Sequence, residues 1–133
     1  MDFTKLNGLI PAVIQDSATG EVLMVGFMNE EALARTRSSG YATFFSRTRN
    51  TLWMKGETSG NRLKVLQILT DCDDDTVLLK VVCEGQGRVC HTGSRTCFTA
   101  DQAGADTVGP TFRSGVTENT VGPTFRSGVT EKP

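Results

Sequence analysis

Residues 71–75 place three carboxylates at every second position. In an extended segment Asp71, Asp73 and Asp75 would share one face, since successive side chains of a strand point to opposite sides. Carboxylates this close repel one another unless a cation neutralises them, and oxygen ligands suit Mg²⁺ or Ca²⁺. The pattern predicts a metal site, and an exposed acidic turn between two strands is the alternative.

An EF-hand calcium loop also opens with alternating acidic residues. It requires Gly at its sixth position and a bidentate Glu at its twelfth. Counted from Asp71, those positions hold Thr76 and Val82. The sequence therefore argues against an EF-hand.

Four cysteines form a second set of candidate metal ligands, namely Cys72, Cys83, Cys90 and Cys97. Thiolates prefer zinc, but the chain has no C-x₂-C knuckle, so the spacing alone does not define a zinc ribbon. Two disulfides are the alternative. The sequence opens without a charged segment followed by an apolar one, so we expect a cytoplasmic protein with reduced thiols.

A basic stretch at residues 46–62 carries hydroxyl groups, glycines and the only Trp of the chain. Arg and Lys pair with phosphate, and glycines let backbone amides approach an anion. The candidate substrate-binding residues are Arg47, Arg49, Trp53, Lys55, Glu57, Ser59 and Asn61. An exposed charged hairpin would have the same composition. Beside an acidic metal site, however, the stretch favours a small phosphorylated ligand.

The apolar pattern predicts a mainly β protein with one short helix, an α+β fold. Asn29 suits a helix N-cap and Gly40 a helix end, which predicts a helix over residues 30–39. Strands are predicted at residues 9–15, 21–27, 41–46, 63–69 and 76–82. The first two flank a turn-rich loop and should form a hairpin. Edge strands in so small a sheet need a cover, and a second subunit would provide one.

The composition fits one small domain that binds neither membranes nor nucleic acid. The chain has 133 residues, of which 38% are hydrophobic, enough for a core of modest size. No apolar stretch approaches the roughly 18 residues of a membrane span. The net charge is −1, whereas an RNA-binding surface needs a wide positive field.

The composition changes after Phe98. Residues 107–118 recur unchanged at residues 120–131, 13 positions later. Two copies do not make a solenoid, and the Gly-Pro and Ser-Gly pairs favour turns. We therefore expect a domain at residues 1–99 and a flexible tail with a tandem repeat at 100–133. The alternative is that each copy supplies a short strand or arm to the domain surface.

Taken in order, these segments resemble the phosphoribosyl-AMP cyclohydrolases of histidine biosynthesis. The matching segments are FSRTR at 45–49, LWMKGETSGN at 52–61, DCDDD at 71–75, CHTG at 90–93 and CF at 97–98. The resemblance spans about residues 5–98. It implies a hydrolase that opens the adenine ring of 1-(5-phosphoribosyl)-AMP between nitrogen 1 and carbon 6. The repeated tail matches nothing in that family.

The resemblance also implies two metal sites. Mg²⁺ would be held by the carboxylates of Asp71, Asp73 and Asp75. Zn²⁺ would be held by thiolates of two chains, Cys72 from one subunit and Cys90 and Cys97 from its partner. The enzyme would then be an intertwined homodimer of small β-rich subunits. Three thiolates leave a fourth zinc position for water, as in catalytic sites.

His91 follows Cys90 directly, and neighbours in an extended chain point apart, so it is a poor ligand for the same metal. We predict a general acid/base role for His91, with a structural histidine as the alternative.

Two other functions remain open. A structural zinc module would use Cys83 as a fourth thiolate. Another zinc-dependent purine hydrolase is possible, although the H-x-E and P-C-x-x-C signatures of nucleoside deaminases are missing.

Overall fold

A four-stranded sheet forms the body of the protein, and a helix and a two-stranded hairpin lie against it. The computed structural model describes residues 1–99 and 108–109. Its elements in chain order are β1 (Ile10–Asp16), β2 (Val22–Met28), α1 (Glu30–Ser39), β3 (Thr43–Ser46), β4 (Thr51–Met54), β5 (Leu63–Thr70) and β6 (Val77–Cys83). The prediction of a mainly β fold with one helix is confirmed for these residues.

The sheet has the order β2-β1-β6-β5. Strands β1 and β6 are parallel at its centre, and the outer pairs are antiparallel hairpins. The central pair therefore joins two hairpins that are distant in sequence. Strands β3 and β4 form a separate antiparallel hairpin.

One face of the sheet is buried because apolar side chains alternate along the central strands. In β1, Ile10, Ala12 and Ile14 are fully buried, and the matching positions of β6 are equally buried. This face packs against α1 and Phe44. Full burial of each large side chain stabilises the fold by roughly 1.5–3 kcal/mol.

The helix has the predicted bounds because both of its ends are capped. The side chain of Asn29 accepts a hydrogen bond from the backbone N of Ala32 at 2.8 Å. Glu30 and Glu31 place negative charge in the first turn, where the helix dipole favours it. Gly40 ends the helix with a φ of 81°, a left-handed conformation that Gly adopts without strain.

Gly26 lets the β3–β4 hairpin approach the sheet. A Cβ at this position would lie 2.6 Å from the ring of Phe44, which is fully buried on β3. The Phe44 ring in turn lies 5.0 Å from that of Trp53 on β4. Gly26 therefore leaves room for the Phe44 ring, against which Trp53 packs.

The predicted strands are confirmed with shifts of one or two residues at some ends. The prediction missed β4 as a strand, although the alternative of a hairpin in the basic stretch was correct. The outer edge of β5 is partly covered, since Ala42 N donates to Leu63 O at 3.0 Å and Val65 N donates to Gly40 O at 2.8 Å.

Two predictions on the tail have no structural test. Apart from residues 108–109, both repeat copies lie outside the described residues, and the predicted domain limits stay a prediction.

In the described part of the chain, no helix is long and apolar enough to cross a membrane.

Candidate metal and substrate site

The acidic segment 71–75 is a turn, so the prediction of an extended segment was wrong. It joins β5 to β6, and Asp71 N donates to Thr76 O at 3.1 Å where the strands meet. Within it, Asp74 N donates to Asp71 O at 3.1 Å, and Asp74 has a φ of 60°. Asp tolerates this left-handed conformation better than most residues do. The segment is therefore a turn between two strands, and the metal site at this turn stays a prediction.

The turn still brings the three predicted carboxylates together. Oxygen atoms of Asp71, Asp73 and Asp75 lie within 4.8 Å of one another. Asp71 Oδ1 accepts hydrogen bonds from the backbone N of Asp75 at 3.0 Å and of Thr76 at 3.3 Å, which fixes its position. Three hard oxygen donors on a tight turn fit Mg²⁺ or Ca²⁺. Within residues 1–99 and 108–109, no other group of three candidate ligands lies this close.

Two cations of the N-terminal segment lie against this turn. Lys5 Nζ is 2.9 Å from Asp75 Oδ2, and the amino group of Met1 is 3.1 Å from Asp74 Oδ2. The hydrogen bond from Lys5 lowers the pKa of Asp75, and the same bond raises the pKa of Lys5. The acidic turn is therefore partly neutralised by this chain's own groups.

A loop at residues 89–97 places two thiols at the edge of β2. Cys90 N donates to Ser94 O at 3.0 Å, which closes the loop. Cys97 N donates to Leu23 O at 2.8 Å, which fastens the loop to the strand. The thiols of Cys90 and Cys97 are close enough for each to shift the pKa of the other. The structure therefore brings together two of the three predicted zinc ligands.

Cys90 is the more acidic member of the pair. Thr92 Oγ1 donates to Cys90 Sγ at 3.1 Å, and hydrogen bonds from the hydroxyl and backbone amide of Thr92 lower the pKa of Cys90. Burial raises the pKa of Cys97, and the neighbouring Cys90 thiolate raises it further. Binding of a soft cation requires both thiols to lose their protons, and the lowered pKa of Cys90 favours this.

Cys72 lies exposed in the acidic turn, away from the thiol pair. The strand register places Cys97 two strands across and several residues along the sheet from that turn, on the order of 15 Å by ideal strand spacing. Within the described residues of one chain, Cys72 accordingly forms no three-ligand group with Cys90 and Cys97.

Cys83 ends β6 and does not complete the thiol pair either. Burial raises the pKa of Cys83, and its Sγ lies 3.6 Å from Glu84 O, to which it donates. It forms no three-ligand group with Cys90 and Cys97 in the part of the chain that is described. This counts against a closed structural zinc site within one chain. All four cysteines are free thiols, so the alternative of two disulfides is not present.

The basic stretch forms the β3–β4 hairpin and the loop that follows it. Arg47 and Arg49 are exposed at the hairpin end, and the Arg47 guanidinium lies 4.1 Å from the centroid of the Phe27 ring. Trp53 and Glu57 line a cavity of about 530 Å³ between β4 and the end of α1. Positively and negatively charged side chains and the indole ring of Trp53 thus line a space that would admit a small ligand.

Lys55 connects the basic stretch with the thiol pair. Its positive charge is close enough to act on the thiols of Cys83, Cys90 and Cys97. Its backbone N donates to Ala42 O at 3.2 Å, which fixes the start of the loop. A ligand phosphate beside Lys55 would therefore lie near the two cysteines.

Ser59 and Asn61 shape the loop. Ser59 Oγ accepts from Asn61 N at 3.2 Å, and Asn61 Oδ1 accepts from Gln86 N at 2.8 Å. These bonds hold the loop against the segment that leads from β6 to the thiols. A direct contact of either side chain with a ligand stays a prediction.

His91 is exposed on the loop beside Cys90. Its neighbour Cys90 is buried, so the two side chains differ in access to solvent, in line with separate roles. The predicted acid/base role of His91 has no test in the geometry.

The candidate ligands of this arrangement lie within a stretch that matches a known protein family. Residues 24–99 match the family model of phosphoribosyl-AMP cyclohydrolase. The chain belongs to the phosphoribosyl-AMP cyclohydrolase family. Its matched part contains the basic hairpin, the acidic turn and the thiol loop, and it excludes Lys5. The family resemblance seen in the sequence is thereby confirmed.

Curated phosphoribosyl-AMP cyclohydrolases are similar over most of their length. The chain is 60% identical to that of Citrifermentans bemidjiense over 98 residues, which cover 74% of this chain and 78% of the relative. It is 58% identical to that of Geobacter metallireducens, with the same coverage. It is 53% identical over 102 residues to the histidine biosynthesis bifunctional protein of Buchnera aphidicola, covering 77% of this chain but only 46% of that protein.

Sequence reasoning missed two groups that contact candidate ligands of this cyclohydrolase-family site. Thr92 stands two positions after a cysteine, and a Thr-Gly pair there is typical of a turn whose hydroxyl can reach back to the thiol. Lys5 gave no signal, since 70 positions separate it from Asp75.

We predict that Thr92→Val raises the pKa of Cys90, because the thiolate loses the hydroxyl donor. At neutral pH protons then compete better with the metal, so zinc affinity should fall about tenfold. The pH dependence of Cys90 alkylation in zinc-free protein would report the pKa, and competition with a chromophoric chelator the affinity. Thr92→Ser keeps the hydroxyl and serves as the control. Equal zinc affinity in Thr92→Val and wild type would contradict a role for this hydrogen bond.

Proposed function

We propose that this chain is a phosphoribosyl-AMP cyclohydrolase of histidine biosynthesis. It would hydrolyse the adenine ring of 1-(5-phosphoribosyl)-AMP between nitrogen 1 and carbon 6. The observation that carries this proposal is the family match over residues 24–99, which contains all three clusters described above. The thiol pair beside Lys55, in which the pKa of Cys90 is lowered, is the feature best suited to the reaction.

The basic hairpin would bind the phosphorylated end of the substrate. Arg47 and Arg49 are exposed and offer guanidinium groups that bind phosphate oxygens in pairs. Trp53 offers an aromatic face at the edge of the cavity. Because the chain has a net charge of only −1, this local patch, not a general field, would select the ligand.

Zinc would be held by Cys90 and Cys97 of one subunit and Cys72 of its partner. The separation of Cys72 from the thiol pair within one chain supports a site shared by two chains, since zinc-bound sulfurs lie about 2.3 Å from the ion. The acidified Cys90 supports binding of a soft cation. When bound, zinc would supply Lewis acidity and lower the pKa of a water molecule at its fourth position.

The chain's own side chains would then handle charge and protons. Thr92 lowers the pKa of Cys90, and Lys55 would hold anionic substrate groups near the thiols. His91, exposed beside Cys90, would deliver a proton to ring nitrogen 1 as its bond to carbon 6 breaks. Histidine side chains commonly act as general acids or bases, which suits this role.

Mg²⁺ would bind to Asp71, Asp73 and Asp75. Their oxygen atoms already lie within 4.8 Å of one another, and Mg²⁺ takes few protein carboxylates together with waters or phosphate oxygens. Mg²⁺ would thus bind the carboxylate oxygens, and Zn²⁺ would bind the thiolate sulfurs.

A homodimer is supported by the outer face of the sheet. Val25, Val13, Leu78 and Leu69 form one row across all four strands. Val25 and Leu69 are 47% and 37% exposed, unusually high for an apolar row on a sheet. A groove along this row is also lined by Asp71. A partner seated on the face would therefore approach the turn that carries Cys72.

We also assign this activity to the cytoplasm. All four thiols are free, as expected in a reducing compartment.

Turnover of phosphoribosyl-AMP, followed by absorbance together with metal analysis, tests the activity. We expect hydrolysis by the zinc-loaded protein, its loss on chelation and its return with zinc. Asp73→Asn should keep the fold and the zinc but require more Mg²⁺. Asp74→Asn is the matched control, because Asn also tolerates a φ of 60° and only an exposed ion pair is lost. A zinc-loaded protein without turnover would refute the proposed activity.

Complementation tests the shared zinc site. Cys72→Ser and Cys97→Ser proteins should each be inactive. When the two are mixed, unfolded and refolded, heterodimers should recover part of the activity, because one of their two sites is intact. Refolding each variant alone is the control. Inactive heterodimers, once shown to form by mass spectrometry of differently labelled chains, would place each site within one chain.

We propose that residues 1–99 form the catalytic domain and that 100–133 are a tail outside it. No candidate ligand lies beyond Cys97, so a stop after Glu118, which removes the second repeat copy, should leave zinc content and turnover within about twofold. Thermal unfolding of the shortened and full chains provides the control. A melting temperature lowered by more than a few degrees would show that the second copy packs on the domain.

A further inference from the structure

A lysine far away in sequence occupies the candidate magnesium site. Lys5 Nζ lies 2.9 Å from Asp75 Oδ2, and the two residues are 70 positions apart. The Asp75 side chain is 24% exposed, and the ammonium group takes up one of its two oxygen atoms. The positive charge of Lys5 also acts on Asp73.

Lys5 is held in this place by its surroundings. The amino group of Met1 pairs with Asp74, and Asp2 N donates to Asp74 O at 2.6 Å. Gly8 N donates to Phe3 O at 2.7 Å, which closes a loop around Lys5. The N-terminal segment is thus fastened to the acidic turn by bonds that do not involve the carboxylates of the triad.

An ammonium group and Mg²⁺ would compete for Asp75 Oδ2. A metal ion bound to the same oxygen would lie a few ångströms from Nζ, and like charges at that distance repel strongly. The lysine side chain is flexible, and its ammonium group is readily hydrated, so it can leave without unfolding the segment.

We propose that Lys5 acts as an internal counter-ion of the acidic triad, which Mg²⁺ must displace in order to bind. The inference rests on the magnesium site of the proposed function and adds a determinant of its affinity. Lys5 lies outside residues 24–99, the part that matches the family model. The chain would thereby set its magnesium requirement with a residue outside the matched region.

Calorimetric titration of the full-length, zinc-loaded protein with MgCl₂ at low ionic strength tests the proposal. Lys5→Met keeps most of the side-chain length and removes the competing charge, so Mg²⁺ should bind about fivefold more tightly than to wild type. Lys5→Gln, a second neutral variant, should change in the same direction. Lys5→Arg keeps the charge and should stay within about twofold of wild type.

Lys64→Met is the matched control. It removes one positive charge near the other end of β5, on the order of 20 Å from the turn by strand rise. Its Mg²⁺ affinity should equal that of wild type, which separates a local effect from a change in net charge.

The outcomes separate this inference from the proposed function. One outcome is that wild type binds Mg²⁺ and both neutral variants bind it equally tightly or more weakly. That outcome would overturn the role of Lys5 and leave the magnesium site in place. Absence of Mg²⁺ binding in wild type and in all variants would overturn the site and the inference together, while turnover with zinc is measured independently. Equal tightening by Lys64→Met would also overturn the proposal.

Discussion

The distance that the sheet imposes between its cysteines is the constraint on which the proposed enzyme depends. The parallel pairing of β1 with β6 fixes the acidic turn at one end of β6 and the thiol loop at the other. A zinc ion needs sulfur atoms within a few ångströms of one another, and a packed sheet does not deform to supply this. If Cys72 is a ligand, the site requires a second chain, and dimerisation becomes part of catalysis.

Charge divides the site into two parts with different metal preferences. Carboxylates at the β5–β6 turn are hard donors that backbone hydrogen bonds and nearby cations hold in place. The thiol loop is soft, and Thr92 lowers the pKa of Cys90 through its hydroxyl. In the proposed enzyme, donor chemistry would therefore separate Mg²⁺ from Zn²⁺ although Cys72 lies within the acidic turn. Zinc would reach that turn only through the thiols of a second subunit.

Local signals predicted the local structure and failed where contacts span the chain. Asn29 and Gly40 define the helix, because caps depend on neighbouring residues alone. Grouping of the three aspartates was predicted correctly, but their conformation was wrong, since alternating carboxylates converge either on a strand face or in a turn. The turn is favoured by the hydrogen bonds that the Asp71 side chain accepts from the backbone of Asp75 and Thr76. The parallel pair β1–β6 and the contact of Lys5 leave no local pattern to read.

Asn61 joins the loop after the β3–β4 hairpin to the segment that leads into the thiol loop. Its side-chain oxygen accepts from Gln86 N, and Glu84 N donates to Arg62 O at 2.8 Å, so residues 61–62 are bound to the segment that leads into the thiol loop. A side chain on Gly85 would clash with Asn61. Glycine at this position therefore allows the two segments to approach closely. A phosphate bound by the hairpin would therefore restrain the same segment that carries Cys90. Substrate binding and alignment of the thiol pair would then be coupled through these two hydrogen bonds.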